Sequence, residues 1–449
     1  MRKLFGTDGI RAVAGESPLD AATIFAVGLA LAHQITQNGS LRRVLLGMDT
    51  RESSPWIASV LTAGLHEGGI TVENAGVITT PAIAFLTRKH GFAAGLVISA
   101  SHNPWQDNGI KIFGDDGYKL PDSVELAMEE EIFRRLGSQE HPDPAQSSAP
   151  TVKTGYRGEY EAFLREEVPG LSLQGLHVVL DCANGAASAI APELFAGLGG
   201  KITLTHVHPD GRNINAGCGA LHPEVVAAET KTAGADIGIT FDGDADRVLF
   251  ADARGNVVNG DAILLLAARD LKARNQLPGD VVVATTMSNM GLEAALKRDG
   301  IRMERAPVGD KYVLERMRVE KAALGGEQSG HILFPAFATT GDGLLTALLV
   351  LEMVQRAGKP LHELVADLKV FPQVIVNVKV REKKPLEQIT AVADTIRDAE
   401  SDLDGRGRVV VRYSGTEALA RVMIEAESEA LMQKHAERIA SAIREAIGV

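Results

Sequence analysis

Cysteine is scarce in this chain: only Cys182 and Cys218 occur among its 449 residues. Two cysteines cannot build a disulfide framework or a zinc cluster made of cysteines, and a chain of this length does not need a single bridge to be stable. The scarcity indicates a reducing compartment, and we expect a cytoplasmic protein.

Aromatic residues and positive charge are also in short supply. Phe, Trp and Tyr make up 4% of the sequence, and 46 Lys and Arg face 58 Asp and Glu, which gives a net charge of -12 at pH 7. Nucleic-acid binding draws on basic residues that neutralise phosphates and on aromatic rings that stack with bases. The composition therefore predicts no nucleic-acid partner.

Long hydrophobic runs are absent as well. The longest apolar stretches, Ala21–Ala32 and Leu344–Val354, are too short to cross a bilayer. The apolar segment that a signal peptide needs is interrupted at once by Gly6 and Asp8. We therefore expect neither a membrane partner nor secretion.

What is present is the composition of an ordinary globular protein, with 45% hydrophobic and 23% charged residues. At about 100 to 200 residues per domain, the length predicts three or four domains.

Short apolar runs recur, and each ends in a polar loop with glycine that leads into a helical pattern such as Glu293–Arg298 or Leu344–Gln355. Continuous apolar strands that alternate with helices predict α/β architecture, with ligand sites in the loops after the strands. The runs are Arg43–Met48, Ala93–Ile98, His177–Leu180, Ala235–Thr240, Val281–Ala284 and Ala322–Leu324.

We place four domains along the chain, at residues 1–150, 151–255, 256–368 and 369–449. Ser138–Pro150 is rich in Pro, Ser and Gln, which is typical of a linker. The sequence itself does not repeat, but the pattern of elements does. From Val374 onward the order changes to strand, helix, strand, strand, helix, which predicts an α+β domain. Its later elements are expected at Leu386–Glu400, Arg408–Tyr413, Ala420–Ala426 and Ala430–Ile447.

An acidic loop, Phe241-Asp-Gly-Asp-Ala-Asp-Arg247, follows one of the apolar runs. Alternate residues of an extended chain point the same way, so Asp242, Asp244 and Asp246 would gather three carboxylates at one point. Such a cluster repels itself unless a hard cation lies between the charges, and oxygen ligands favour magnesium. A calcium-binding EF-hand fits poorly, because Arg247 stands where its glycine belongs. A solvated acidic turn is the plain structural alternative.

A second polar loop, Ser99-Ala-Ser-His-Asn-Pro104, also follows an apolar strand. Ser101 would expose its hydroxyl at the sheet edge, where it could act as a nucleophile or phosphate carrier. A turn or helix cap is the competing interpretation. The sequence has no G-x-S-x-G elbow, no Walker A motif and no G-x-G-x-x-G, which disfavours a serine hydrolase and a nucleotide-dependent kinase.

Two further clusters are rich in glycine and polar residues. In Gly325-Gly-Glu-Gln-Ser-Gly-His331, Glu327 and Ser329 could hydrogen-bond sugar hydroxyls and His331 could transfer protons, or the segment could be a tight loop with a surface histidine. Val411-Arg-Tyr-Ser-Gly-Thr-Glu417 combines a guanidinium, hydroxyls and free backbone N–H groups, which suits a dianion or a plain hairpin corner.

Taken together and in this order, the four loops resemble those of the α-D-phosphohexomutase family, over nearly the whole chain. Gly6-Thr-Asp-Gly-Ile-Arg11 also matches the opening segment of the family, and Gln328 is similar to the glucosamine branch. The resemblance implies three related α/β domains with mixed, largely parallel sheets and a smaller C-terminal α+β domain around one central cleft. It leaves the oligomeric state open, with a homodimer as one alternative.

The activity that the resemblance implies is interconversion of glucosamine 6-phosphate and glucosamine 1-phosphate, in amino-sugar nucleotide and cell-wall precursor synthesis. Phospho-Ser101 would donate its phosphoryl group to the bound monophosphate. A hexosamine or hexose 1,6-bisphosphate would then serve as intermediate and activator. The family pattern places Mg²⁺ on Ser101, Asp242, Asp244 and Asp246.

The remaining roles carried over from the family are assigned residue by residue. Arg247, Arg11 and Lys111 would add positive charge, and Lys111 and His331 are the candidates for proton transfer. Glu327 and Ser329 would bind sugar hydroxyls. The phosphate that is not reacting would be held by Arg412, Ser414, Gly415 and Thr416, with Arg421 assisting.

Four positions depart from the family pattern: Ala12, Lys311, Tyr413 and Ala418. None of them removes a metal ligand.

Two alternative functions from other classes are also considered. Asp242-Gly-Asp-Ala-Asp resembles the start of the haloacid dehalogenase motif, although Asp246 stands where that group wants Thr or Val. A non-catalytic sugar-phosphate-binding member of the same family would be expected to lack Ser101 or a metal ligand, and all are present.

Overall fold

The computed structural model describes residues 4–6, 8–37, 39, 41–137, 150–413 and 419–449. Most of the predicted linker Ser138–Pro150 therefore lies outside the described residues. The helices are α1 Ala21–Gln37, α2 Ser54–Glu67, α3 Thr80–His90, α4 Asp122–Leu136, α5 Gly155–Glu166, α6 Ala191–Ala196, α7 Pro223–Ala233, α8 Gly260–Ala273, α9 Met290–Arg298, α10 Asp310–Glu320, α11 Gly343–Ala357, α12 Leu361–Leu364, α13 Thr390–Leu403 and α14 Glu429–Ile447.

Strands alternate with these helices along most of the described chain, as the sequence predicts. They are β1 Ile10–Val13, β2 Arg43–Met48, β3 Thr71–Val77, β4 Ala94–Ile98, β5 Asp107–Gly114, β6 His177–Asp181, β7 Lys201–Thr205, β8 Ile237–Phe241, β9 Val248–Asp252, β10 Val257–Val258, β11 Val281–Thr285, β12 Arg302–Ala306, β13 Gly325–Gly326, β14 Ile332–Leu333, β15 Gln373–Lys379, β16 Gly407–Tyr413 and β17 Leu419–Ala426.

The first two sheets share one topology. Their strand orders are β1-β5-β4-β2-β3 and β10-β9-β8-β6-β7. In each, the two pairings at one end are antiparallel and the two at the other end are parallel. The central strands β4 and β8 are buried along their whole length because helices cover both faces. The repeated element pattern in the sequence thus corresponds to a repeated fold.

A third sheet has the order β12-β11-β13-β14. Strands β11 and β13 run parallel, whereas β13 and β14 form a two-residue antiparallel pair. The strand predicted at Ala322–Leu324 lies slightly later in the chain, at Gly325–Gly326. Its first pairing contact is made by Leu324, whose carbonyl accepts a hydrogen bond from the Val283 amide at 3.1 Å.

The described chain divides into two compact units. One runs to Met287 and resumes at Glu304–Val365, and the other consists of Ser288–Met303 and Ala366–Val449. Residues 288–303 come from the segment predicted as the third domain, yet they pack with the C-terminal residues. The Asn289 side chain, for example, exchanges two hydrogen bonds with the backbone of Phe371.

The second unit has the predicted α+β order. Its sheet, β15-β17-β16, is antiparallel throughout, and α13 and α14 supply apolar residues to its core. Helix α13 begins at Thr390 instead of the predicted Leu386, because Leu386–Gln388 forms a separate 3₁₀ turn after Pro385. No helix in the described part of the chain is long and apolar enough to span a membrane.

Candidate active site

The loop after β4 carries Ser101, which is 1% exposed. Its backbone has a φ of 52°, in the left-handed region that residues with a Cβ seldom adopt. Its Oγ donates a hydrogen bond to Oδ2 of Asp242 at 2.5 Å and lies 3.2 Å from Nδ1 of His102. The structure therefore brings the serine loop into direct contact with the acidic loop.

The acidic loop follows β8, and all three aspartates are buried. One carboxylate oxygen from each of Asp242, Asp244 and Asp246 lies within 4.8 Å of the others. Burial and the charges of Asp246 and Asp244 raise the pKa of Asp242 well above its usual range. Among the described residues, Oδ1 of Asp244 and Oδ1 of Asp246 are buried without a hydrogen-bond partner. These features fit an oxygen-only site for a divalent cation.

Lys111, on β5, extends its ammonium into the acidic loop. Nζ lies 2.7 Å from Oδ2 of Asp244, 3.1 Å from Oδ2 of Asp246 and 3.0 Å from Oδ2 of Asp8. Burial opposes the charge of the ammonium, but the three carboxylates outweigh it and raise the pKa of Lys111 well above its usual range. In these surroundings Lys111 carries a positive charge.

The predicted sugar loop is the turn between β13 and β14. Glu327 accepts hydrogen bonds from the Gly309 amide at 3.1 Å and from Oγ of Ser329 at 2.9 Å. The Gln328 amide points elsewhere, because its Nε2 donates to Oδ2 of Asp261 on α8 at 3.1 Å. Glu327 and Ser329 are thus presented together, and Gln328 anchors the turn to a helix.

His331 closes the same turn and is 3% exposed. Its Nδ1 lies 3.6 Å from Oδ1 of Asp246 and its Nε2 lies 3.6 Å from Oδ2 of Asp310. Burial lowers the pKa of His331, but Asp246, Asp310 and Glu327 outweigh it and raise the pKa above its usual value. The Gly341 amide donates to Nε2 at 3.2 Å, and a Cβ at this glycine would lie only 2.4 Å from the same atom.

Two predicted arginines lie beside these groups. The Arg247 amide donates to Oδ1 of Asp242 at 3.1 Å, and its guanidinium nitrogen lies 3.2 Å from Nδ1 of His102. Arg11 is paired with Asp8. Burial, followed by the charges of Arg247 and Arg11, lowers the pKa of His102 to about 4. His102 is therefore neutral near pH 7.

A cavity of about 330 Å³ joins these groups, a size suited to a small ligand. Its lining combines three fixed cations with four carboxylates and two histidines, so it suits a ligand with both anionic and hydroxyl groups. It is lined by Leu4, Gly6, Asp8, Gly9, Arg11, His102, Lys119, Asp246, Arg247, Val308, Gly309, Asp310, Glu327 and His331.

Arg412 and Arg421 belong to the second unit. They face each other in register on the antiparallel strands β16 and β17. Side chains at directly opposed positions of an antiparallel pair project from the same face of the sheet. The predicted phosphate-loop residues Ser414, Gly415 and Thr416, together with the departure Ala418, lie outside the described residues.

The sequence interpretation overlooked several polar residues that organise the site. Lys119 bridges Asp8 and Asp310, with Nζ 2.6 Å from Oδ2 of Asp310. Arg51 is buried against the serine loop and donates to the carbonyl of Ser101. Arg51 comes shortly after the apolar run Arg43–Met48, in a loop where ligand sites were expected, so a closer inspection of that loop could have found it. No sequence signal marks Lys119.

A second group of ligand-type side chains lies at the end of β6. Nδ1 of His206 is 3.1 Å from Oδ1 of Asp181, and the Cys218 sulfur is near both. Burial and the charges of Asp181 and Glu229 raise the pKa of the Cys218 thiol to about 12. The thiol therefore stays protonated, and we interpret the group as an ion pair between a buried aspartate and a partly exposed histidine, beside a cysteine.

Comparison with known families matches the four segments of the chain to the four domains of one family. Residues 2–137, 159–255 and 259–371 match phosphoglucomutase/phosphomannomutase α/β/α domains I, II and III, and residues 375–442 match its C-terminal domain.

Full-length relatives are similar to this chain. A phosphoglucosamine mutase of Koribacter versatilis is 60% identical, with 100% of this chain and 98% of that protein covered. A phosphoglucosamine mutase of Solibacter usitatus is 51% identical, with 100% and 99% covered.

Solved structures share the fold. A phosphoglucomutase/phosphomannomutase family protein from Burkholderia thailandensis superposes with a TM-score of 0.78 at 23% identity, covering 99% of each chain. An Aspergillus fumigatus N-acetylphosphoglucosamine mutase, solved with GlcNAc-6P and magnesium, gives a TM-score of 0.60 at 20% identity, covering 100% of this chain and 96% of that one.

Proposed function

The chain belongs to the phosphoglucomutase/phosphomannomutase family, and from this premise we propose that it interconverts glucosamine 6-phosphate and glucosamine 1-phosphate. The choice of amino sugar is supported by the full-length relatives that carry the name phosphoglucosamine mutase. The observation that carries the chemistry is the 2.5 Å contact between Oγ of Ser101 and Oδ2 of Asp242, beside a cavity lined with carboxylate, cationic and imidazole groups.

Ser101 carries the phosphoryl group between the two half-reactions. The bond between phosphorus and the Ser101 oxygen breaks as a bond forms between phosphorus and the free hydroxyl oxygen of the bound monophosphate. The hydroxyl proton leaves that oxygen, and the product is a 1,6-bisphosphate. After the bisphosphate turns over, its other phosphoryl group returns to Ser101 and a proton returns to the oxygen that it leaves. No nucleotide is consumed.

Positioning and charge neutralisation are what phosphoryl transfer needs most from a protein. Asp242, Asp244, Asp246 and an oxygen of phospho-Ser101 would hold Mg²⁺, which supplies neutralisation of the transferring group when bound. The triad supports this assignment, because two of its buried carboxylate oxygens accept no hydrogen bond from the described part of the chain. The guanidinium of Arg247, beside His102, and that of Arg11 line the same cavity and add fixed positive charge.

The two candidates for proton transfer differ in position. His331 lines the cavity, whereas Lys111 is buried among three carboxylates and is 1% exposed. We therefore assign the hydroxyl proton to His331 and neutralisation of charge to the ammonium of Lys111. Glu327 and Ser329 bind sugar hydroxyls in either orientation of the intermediate.

The phosphate that is not reacting is assigned to the second unit. Arg412 and Arg421 supply two opposed guanidiniums, and Ser414, Gly415 and Thr416 would add hydroxyl and amide donors. One binding loop for the distal phosphate suits an intermediate that must bind in two orientations.

A coupled assay tests the substrate assignment. Glucosamine 1-phosphate, glucose 1-phosphate and mannose 1-phosphate are supplied in turn with Mg²⁺ and a trace of bisphosphate, and formation of each 6-phosphate is measured. We expect the highest kcat/KM with the glucosamine phosphate. Higher kcat/KM with glucose or mannose phosphate would overturn the amino-sugar assignment. Absence of turnover with all three substrates would overturn the assignment of mutase activity.

A further inference from the structure

Ser101 has a backbone conformation that must be held by its surroundings. Its φ of 52° is unfavourable for a residue with a side chain, and such conformations persist where neighbouring groups over-determine them. The direction of Oγ toward Asp242 depends on this conformation, because χ1 starts from the backbone. The groups that bind the N–H and C=O of Ser101 therefore decide where the hydroxyl points.

The carbonyl of Ser101 is bound by Arg51, which is 1% exposed. One guanidinium nitrogen donates to the carbonyls of Ser101 at 3.0 Å and Asn103 at 2.8 Å. The second terminal nitrogen of the guanidinium donates to the carbonyls of Asp107, at 3.0 Å, and Pro104. Three carbonyls of the serine loop and one from the start of β5 thus converge on one planar, rigid group.

The amide of Ser101 is bound through the partner of Arg51. The Ser101 N–H donates to Oγ of Ser99 at 2.9 Å, and that hydroxyl donates to Oδ2 of Asp49 at 2.7 Å. The same carboxylate oxygen accepts from Nε of Arg51 at 2.8 Å. Both backbone groups of Ser101 therefore lead to the buried Asp49–Arg51 pair at the end of β2.

A second connection comes from the domain that carries the acidic loop. Nδ2 of Asn215 donates to the carbonyls of Ser101 at 2.9 Å and Asn103 at 3.1 Å. Gly243, inside the acidic loop, is so close that a Cβ there would lie 2.5 Å from the Ser101 carbonyl oxygen and 3.0 Å from Nδ2 of Asn215. Asn215 thus fixes the serine loop against the acidic loop at van der Waals distance.

We propose that Asp49, Arg51 and Asn215 are positioning residues that hold the backbone of Ser101 so that Oγ faces Asp242; this rests on the proposed function, in which Ser101 carries the phosphoryl group. None of the three lines the cavity as the described residues form it. They therefore act on phosphoryl transfer, and sugar binding does not depend on them. Loss of one contact should lower kcat and leave KM nearly unchanged.

Asn215→Ala and Ser99→Ala are the decisive variants, because each removes hydrogen bonds to the Ser101 loop without leaving a buried charge unpaired. Arg51→Lys keeps a charge but cannot reproduce the four-carbonyl contact. Asn213→Ala is the matched control. Its side chain lies in the same segment as Asn215 but bonds to the backbone of His208 and Asp210 instead. Circular dichroism and thermal midpoints establish that each variant is folded.

The measurements are kcat and KM for the glucosamine phosphates and the rate at which phospho-Ser101 loses its phosphate to water. We expect Asn215→Ala and Ser99→Ala to lower kcat between about tenfold and 100-fold with KM within about twofold, as is usual when a reacting group is misplaced. Asn213→Ala should match the wild type. Folded variants with unchanged kcat, or with a raised KM alone, would overturn the positioning role. A wild-type protein with no phosphate on Ser101 would instead overturn the proposed function, and this inference with it.

Discussion

The hydroxyl of Tyr160 donates a hydrogen bond to Oδ2 of Asp342 at 2.6 Å, inside the first unit, where both side chains are buried. Oδ1 of Asp342 accepts from the Leu345 amide at 3.0 Å and so caps the start of α11. Burial nevertheless dominates and raises the pKa of Asp342 to about 6. Ionisation of Asp342 therefore lowers the stability of the folded state.

The pH dependence of stability follows from this shift. The folded pKa is about 6 and the reference value is 3.8, so the acid form is favoured in the fold. The contribution of protonated Asp342 to the free energy of unfolding is complete below about pH 4, and it is lost as the pH rises through about 6. A shift of about two units corresponds to about 3 kcal/mol. As the pH rises from 4 to 7, the free energy of unfolding of Asp342→Asn should therefore increase by about 3 kcal/mol relative to that of the wild type.

Denaturant unfolding of both proteins across that pH range measures the difference. Tyr160→Phe is the informative companion. It removes the hydroxyl that stabilises the carboxylate, so the pKa of Asp342 should rise further and the loss of stability should extend to higher pH. A constant difference between Asp342→Asn and the wild type at all pH values would show that Asp342 ionises normally in the fold.

Ser101→Ala should abolish mutase turnover, by about three orders of magnitude or more, because no other group stores the phosphoryl between half-reactions. Peptide mass spectrometry of the wild type should find a phosphate on Ser101 that resists acid and hydroxylamine. A hydroxylamine-labile phosphate on Asp242 or Asp244 would favour the dehalogenase-like alternative instead.

Asp244→Asn should weaken metal binding and turnover together, because it removes one charge from an oxygen-only site and keeps the side-chain size. Calorimetric titration with Mg²⁺ and the steady-state rate measure the two effects. Asp252→Asn is the control, since this buried carboxylate accepts from the Arg254 and Asn256 amides in a turn. Full activity after treatment with a chelator would remove the basis for a metal at the triad.

Gly341→Ala should displace the His331 ring, because a Cβ would lie 2.4 Å from Nε2 and the buried imidazole has little room to move. We expect turnover to fall by about tenfold or more. Gly170→Ala, at a position where a Cβ meets nothing within 4 Å, is the matched control. Equal rates for the two variants would mean that the position of His331 does not limit the reaction.

Arg412→Lys should impair productive binding of both monophosphates and let the bisphosphate escape more often before it reorients. A guanidinium binds phosphate with two parallel hydrogen bonds, which lysine cannot reproduce, and the loss should be about tenfold. The rate of bisphosphate release and the dependence on added bisphosphate measure it. If both stay at wild-type values while substrate binding is normal, this segment is a structural hairpin corner.

Local pattern alone predicted much of this protein. The run Arg43–Met48 is a strand with the predicted bounds, and Ser101 and Asp242 lie in loops directly after strands, as expected for an α/β fold. Apolar runs and polar turns are properties of neighbouring residues, so they can be recognised without knowing the fold. The family membership that four such loops indicated is confirmed by the comparisons.

Other features depend on which strands become neighbours. Asn215 and Ser101 are 114 positions apart and meet because two sheets place their loop edges together. Lys119 reaches Asp310 across 191 positions, and Tyr160 reaches Asp342 across 182. The raised pKa of Asp342 likewise arises from burial that only packing creates. Hydrogen bonds and desolvation act over a few ångströms in space, so their partners are decided by tertiary structure and leave no periodic signal along the chain.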